Sequence, residues 1–112
     1  MMTITIKDSE RGLLSKNGVF VRMLLPGHHH FFSSRWSVDV VDAEYLFVPP
    51  GGDLDTYLAD PALAAELYVS EVPDQTLGLH YADGRFDCVL RSGRFAFWST
   101  HHTHETRMVD MR

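Results

Sequence analysis

A single cysteine, Cys88, leaves no partner for a disulfide inside the chain and points weakly to a reducing compartment. No apolar run approaches the roughly 20 residues that a bilayer-spanning helix needs. The opening MMTITIKDSE has neither the basic stretch nor the apolar core of a secretion signal. Basic residues are scarce: 10 Lys and Arg stand against 15 Asp and Glu, for a net charge of −5. An acidic chain without a basic stripe argues against nucleic acid and against anionic lipid as partners. Catalytic signatures are missing as well. There is no G-x-S-x-G elbow, no CxxC and no HExxH. Pro50-Gly51-Gly52 lacks the GK[ST] ending of a phosphate loop and reads as a linker. These absences leave no catalytic or cofactor motif in the sequence, so no cofactor is expected, and a cytoplasmic chain is expected.

What is present is a repeat. The stretch GLLSKNGVFVRMLLPGHHHF (12–31) returns as GLHYADGRFDCVLRSGRFAF (78–97) at an ungapped offset of 66. Seven of the 20 pairs are identical, where unrelated sequences of ordinary composition would share about one or two. The pairs are Gly12/Gly78, Leu13/Leu79, Gly18/Gly84, Phe20/Phe86, Leu24/Leu90, Gly27/Gly93 and Phe31/Phe97. Asn17-Gly18 and Asp83-Gly84 each sit between extended segments, the signature of a type I′ hairpin turn, which needs positive φ at both central residues. Pro26-Gly27 reads as a type II turn, and Ser92-Gly93 keeps its glycine. Strands are expected over 3–6, 12–16, 19–25, 28–32 and 37–41, and again over 68–72, 94–98 and 106–109. Between the copies, Asp53 or Asp55 can cap a helix carrying Leu54, Tyr57 and Leu58 on one side. Asp60-Pro61 suggests a kink or a second helix start, with helix continuing from Ala62 to Leu67. The expectation is a mostly β single domain, 1–112, of two pseudo-symmetric antiparallel β-meander repeats packed together: a first repeat at 3–42, a helical linker at 43–66 and a second repeat at 67–112.

Alternation assigns faces, because side chains two apart on a strand share one. Phe20, Arg22 and Leu24 face one way, with Phe86, Cys88 and Leu90 as their equivalents. The opposite face is apolar in the first copy (Val19, Val21, Met23, Leu25) and charged in the second (Arg85, Asp87, Val89, Arg91). The first copy is therefore expected to be buried on both sides, its second side covered by the connecting helix, the other repeat or a partner subunit. Aromatic residues gather on the third strands. Val19, Val21, Met23, Phe32 and Trp98 are the candidate protein-contact residues.

The histidines supply an alternative from another class. His28 and His30 share a strand face, as do His102 and His104, and imidazoles at i and i+2 can ligate one metal. Against it, the first three histidines correspond to Arg94, Phe95 and Ala96, so the repeated unit does not require imidazole there. Cys88 reads as a small filler near the inner face. A small β enzyme with an unrecognised site is the remaining alternative.

The stretch from Glu10 to Asp42, ERGLLSKNGVFVRMLLPGHHHFF…VDVVD, resembles the opening of the stomatin/prohibitin/flotillin (SPFH, or band 7) domain. Shared are the E-x-G strand, the [ND]G-x-[FY] turn, the V-L-x-P-G-like turn and the closing V-x-V-V-D. With its second copy, which ends at Met108-Val109-Asp110, the chain is similar to the N-terminal region of bacterial slipin-family (stomatin-like) proteins. The resemblance implies a non-catalytic scaffold or assembly module that binds a protein partner or self-associates into homo-oligomers. It also implies that any membrane association comes from downstream sequence, since this chain has neither a membrane-inserting segment nor the following band 7 body.

Overall fold

The structure, a computed structural model, describes residues 1–50 and 53–112. Of the Pro50-Gly51-Gly52 linker, Gly51 and Gly52 lie outside the described residues. Among the described residues the chain is mostly β and wholly antiparallel in its pairing. It contains β1 (Met2–Ile6), β2 (Glu10–Lys16), β3 (Val19–Leu24), β4 (Gly27–Phe31), β5 (Trp36–Asp42), β6 (Leu46–Phe47), helices α1 (Leu54–Leu58) and α2 (Pro61–Ala65), then β7 (Leu67–Val72), β8 (Thr76–Ala82), β9 (Arg85–Leu90), β10 (Gly93–Trp98) and β11 (His104–Asp110).

Two compact units share these elements. Unit 1 is Met1–Glu44 with Val48–Glu66; unit 2 is Tyr45–Phe47 with Leu67–Arg112. The segment 43–66 is thus not a separate linker. Its helices belong to unit 1, and β6 adds to the edge of β10 in unit 2.

The strand order departs from a simple meander. In unit 1, β3 and β5 flank β2, while β4 pairs with β1. In unit 2, β9 and β11 flank β8, while β10 pairs with β7 and β6. The reason lies at Gly27 and Gly93, where φ is +137° and +142°. Such a backbone, which glycine alone adopts readily, turns the chain out of one sheet and into the other. The hairpin turns are as expected: Asn17 and Gly18 have φ of 53° and 80°, Asp83 and Gly84 of 54° and 79°, as a type I′ turn requires.

Pairing runs in the same register in both units. Gly12 opposes Leu24 and Val40; Gly78 opposes Leu90 and Met108. Ile6 opposes Gly27 as Val72 opposes Gly93. Gly12 and Gly78 are not turn residues but lie inside β2 and β8. A Cβ on Gly12 would stand 2.5 Å from Ile6 Cδ1 and 3.2 Å from Leu24 Cβ, and one on Gly78 3.0 Å from both Val72 and Thr106.

The hairpin partners β3 and β9 are bulged where they oppose the Leu14–Ser15 step of β2 and the His80–Tyr81 step of β8. Val21 and Asp87 are the extra residues, and an extra residue inverts the alternation beyond it. Phe20 therefore lies on the Leu13–Met23 face rather than with Leu24, and Phe86 on the Leu79–Val89 face.

In unit 1 the inner core joins Ile6, Leu14 and Leu24, with Ile4, Phe31, Trp36 and Val38 packed around them. The opposite face of β2 is covered by the two helices, one of the three covers the apolar pattern left open. Asp53 caps α1 by accepting from the Thr56 amide at 3.0 Å, and Asp60 caps α2, which has Pro61 at its first turn. Asp60 also accepts from the Met23 amide at 2.8 Å. The Tyr57 ring lies 4.6 Å from Phe20, and Tyr57 and Leu63 are buried. Arg11, nearly buried, donates to Glu66 at the end of α2 and to the carbonyls of Asp8 and Glu10. Met23 is covered as expected. Val19 and Val21 are not: both are exposed, Val21 as the unpaired bulge residue and Val19 at the hairpin end of β3, opposite Lys16.

Candidate functional site

The expected site residues scatter to different tasks. His28 and His30 on β4 are exposed and hydrogen-bond through Nδ1 to their cross-strand neighbours Thr5 (2.9 Å) and Thr3 (3.1 Å) on β1. His102 holds Asp83 Oδ2 at 2.6 Å, and Asp83 Oδ1 accepts from the Thr103 amide at 2.9 Å. The Thr103 amide, and secondarily His102, hold the Asp83 carboxyl below the usual carboxylate range. His102 thus braces a hairpin turn. Among the described residues no group of three or more His, Cys, Asp or Glu side chains is arranged to hold a metal. Of the expected contact residues, Val19, Val21 and Phe32 are exposed. Met23 and Trp98 are corrected: both are buried within the chain, Met23 beside the α2 cap and Trp98 edge-on to Phe47 at 5.5 Å, so neither offers its side chain to a partner.

Cys88 is half-buried. Burial pushes its thiol up, away from the thiolate that a nucleophile requires. Tyr45 donates to Asp87 and lies 3.8 Å from the Cys88 sulfur; burial first, then these bonds, raise its phenol far above the ordinary value. A cavity of about 340 Å³ in unit 1 is lined by Met1, Met2, Ser33, Ser34 and Trp36, and none of these side chains is a carboxylate, imidazole or thiol.

Two features of unit 2 stand out. The first is a buried polar chain. Tyr68 Oη donates to Thr106 Oγ1 at 3.0 Å, Thr106 Oγ1 lies 3.3 Å from His80 Nδ1, His80 Nε2 lies 3.0 Å from His104 Nδ1, and His104 Nε2 lies 2.9 Å from the Trp98 carbonyl. Elementary bookkeeping sets its direction. A carbonyl only accepts, so His104 Nε2 carries the hydrogen. Neutral His104 then accepts at Nδ1, so His80 donates from Nε2 and accepts at Nδ1 from the Thr106 hydroxyl. Every hydrogen points the same way. His80 is fully buried, with its ring stacked 4.1 Å from Phe97. Burial first, and the neighbouring His104 second, hold its imidazole below the ordinary histidine range, with the Asp87 carboxylate opposing.

Sequence reasoning passed over His80 because it belongs to no metal spacing. A signal existed: at the offset of 66 it replaces Leu14, a core leucine.

The second feature is a bare sheet face. On the side of β8 away from His80 stand Leu77, Leu79 and Tyr81, half-buried, with Phe86, Val89 and Val109 exposed beside them. Arg107 lies over the Tyr81 ring at 4.9 Å and 3.4 Å from Glu105. In unit 1 the corresponding positions are those under α1 and α2.

No family model matches the chain, and no curated protein or solved structure does either.

Proposed function

We propose that this chain is a non-catalytic protein-interaction and assembly module, as its resemblance to slipin N-terminal regions implies, and that the bare face of the β9-β8-β11 sheet receives the same face of a second copy. One observation carries the reading: positions that in unit 1 lie beneath two helices stand open in unit 2, with Phe86 at 57%, Val89 at 48% and Val109 at 40% exposure. Contiguous exposed apolar surface of this kind marks a contact. The free edges of β3 and β9 are bulged, which blunts edge-to-edge pairing, so the face is the better surface. Its charges suit a two-fold contact, since Glu105 and Arg107 stand together and can exchange partners across the axis.

Size limits the strength. Three strands about 4.8 Å apart and about 24 Å long present on the order of 350 Å², well under the roughly 800 Å² per partner of a standard interface. The association is therefore weak and grows with concentration. Light scattering over a concentration series tests it. The native chain is expected to gain mass with concentration, while Val89→Asp stays a folded monomer and Val21→Asp, at the β3 edge, behaves as the native chain. A native chain monomeric up to about millimolar concentration, beyond which so weak a contact has no consequence, sinks the reading.

A further inference from the structure

We propose that the His80–His104 pair is an acid-released latch between the two sheets of unit 2. The polar chain begins and ends on one sheet and has its middle on the other. Tyr68 and the Trp98 carbonyl belong to β7 and β10; Thr106, His80 and His104 belong to β11 and β8. Both ends therefore cross from sheet to sheet, Tyr68 to Thr106 and His104 to Trp98. The latch is complete only when both rings are neutral, because each of its gaps then holds one hydrogen.

Added protons have nowhere good to go. A first proton on His80 Nδ1 forces the Thr106 hydroxyl to turn its own hydrogen elsewhere while still receiving the Tyr68 hydroxyl. A second sets N–H against N–H across the 3.0 Å between His80 Nε2 and His104 Nδ1, beside the stacked Phe97 ring. Opening the sheets lets water take both protons.

The groups facing the pair are Tyr68 from β7, Cys88 and Asp87 from β9, the neutral Phe97 ring and Trp98 carbonyl from β10, and Thr106 from β11, with Tyr45 bonded to Asp87. Of these side-chain types and the imidazoles themselves, histidine alone has an ordinary pKa within about pH 5 to 8. The depressed His80 value fixes the sign. The closed state is favoured above the ordinary histidine pKa of about 6.5 and loses ground as pH falls below it, by up to about tenfold per pH unit for as long as His80 must stay neutral.

Amide hydrogen exchange of the full chain, compared between about pH 7.5 and about pH 5.5 and corrected for intrinsic chemistry, reads the opening. Amides of β7 and β10 are expected to lose about tenfold or more in protection, in excess of any loss in β1 and β4, which have no such chain. Exchange of β7 and β10 that tracks β1 and β4 overturns the latch. His80→Leu, which installs the residue unit 1 uses, is expected to remove the excess; an excess that survives it also overturns the proposal. Should that variant fold poorly, imidazole nitrogen spectra of the native chain decide. His80 is expected to stay neutral with hydrogen on Nε2 until the protection of β7 and β10 is lost. A ring that titrates reversibly near pH 6.5 with protection intact refutes the latch.

Discussion

Units 1 and 2 pair their strands in one register and fill the two faces of that framework differently. On the inner face, Leu14, Trp36 and Val38 of unit 1 give way to His80, His104 and Thr106 at the corresponding positions of unit 2. On the outer face, Leu13, Phe20 and Met23 lie on the side of β2 where α1 and α2 pack, whereas Phe86 and Val89 are exposed and Leu79 is half-buried. The framework demands little: positive φ at the hairpin and corner residues, a glycine where β1 or β7 comes close, and one extra residue in β3 or β9. Once those are met, a face can be dry or polar, covered or bare. Unit 1 uses that freedom for apolar packing and a helical cover. Unit 2 carries a buried hydrogen-bond chain and an open sheet, the two features from which its proposed functions follow.

The sharpest way to break the comparison is to place unit 2's histidine in unit 1. Leu14→His removes a fully buried leucine and sets an imidazole among Trp36, Val38 and Phe31, which offer no acceptor and, beyond the Trp36 indole N–H, no donor in place of Thr106 and His104. Lost apolar burial and an unsatisfied polar ring together predict a loss of about 4 kcal/mol or more, read by denaturant unfolding at neutral pH. A loss under about 1 kcal/mol would mean the inner faces are interchangeable, and that hydrogen bonding does not explain why His80 is tolerated.

The outer cover can be probed at Arg11, where unit 2 has Leu77. Arg11 is nearly buried and Glu66 partly so. Arg11→Leu leaves the carboxylate without its guanidinium, a loss of about 2 kcal/mol once the residual exposure of Glu66 is allowed for. Adding Glu66→Leu should restore most of it, because replacing both partners of such a pair by apolar groups is often neutral. If the double variant is as weak as the single one, the ion pair positions α2 rather than merely satisfying itself.

Much of this framework was legible in the sequence, and the illegible parts have physical causes. The Asn17-Gly18 and Asp83-Gly84 turns, the caps at Asp53 and Asp60, and the β character followed from local backbone chemistry. That something covers the second face of the first copy followed from its apolar pattern, but not that the helices supply the cover, and of the four residues assigned to that face only Met23 is buried. The placement of Phe20 did not, because a bulge leaves no mark on an alternating pattern. Nor did the partnership of β4 with β1, since Pro26-Gly27 reads equally as a turn within one sheet or a corner between two. Trp98 read as a contact residue because its burial depends on neighbours such as Phe47, distant in sequence. His80 was hidden for a different reason: a polar residue at a core position declares itself only when its partners, 24 to 26 residues away, are known.

The smallest expected effect separates the two hairpin turns. Asn17 and Asp83 hold the same left-handed conformation, and their amides donate to Arg35 and Thr103 carbonyls at 2.8 Å alike. Only Asp83 adds a carboxylate that receives the Thr103 amide and the His102 ring. Its depressed carboxyl pKa means the native state favours the charged form, so this contribution is present above the ordinary aspartate value of about 3.9 and fades as pH falls through the lower folded value. Asp83→Asn keeps a side chain at ease with positive φ while removing the charge. The variant is expected to unfold slightly earlier than the native chain near neutral pH and to converge with it in acid below about pH 3. Thermal unfolding of both across that range reads the difference. A gap that persists unchanged in acid would assign the effect to turn geometry, and the two hairpins would then differ in sequence but not in kind.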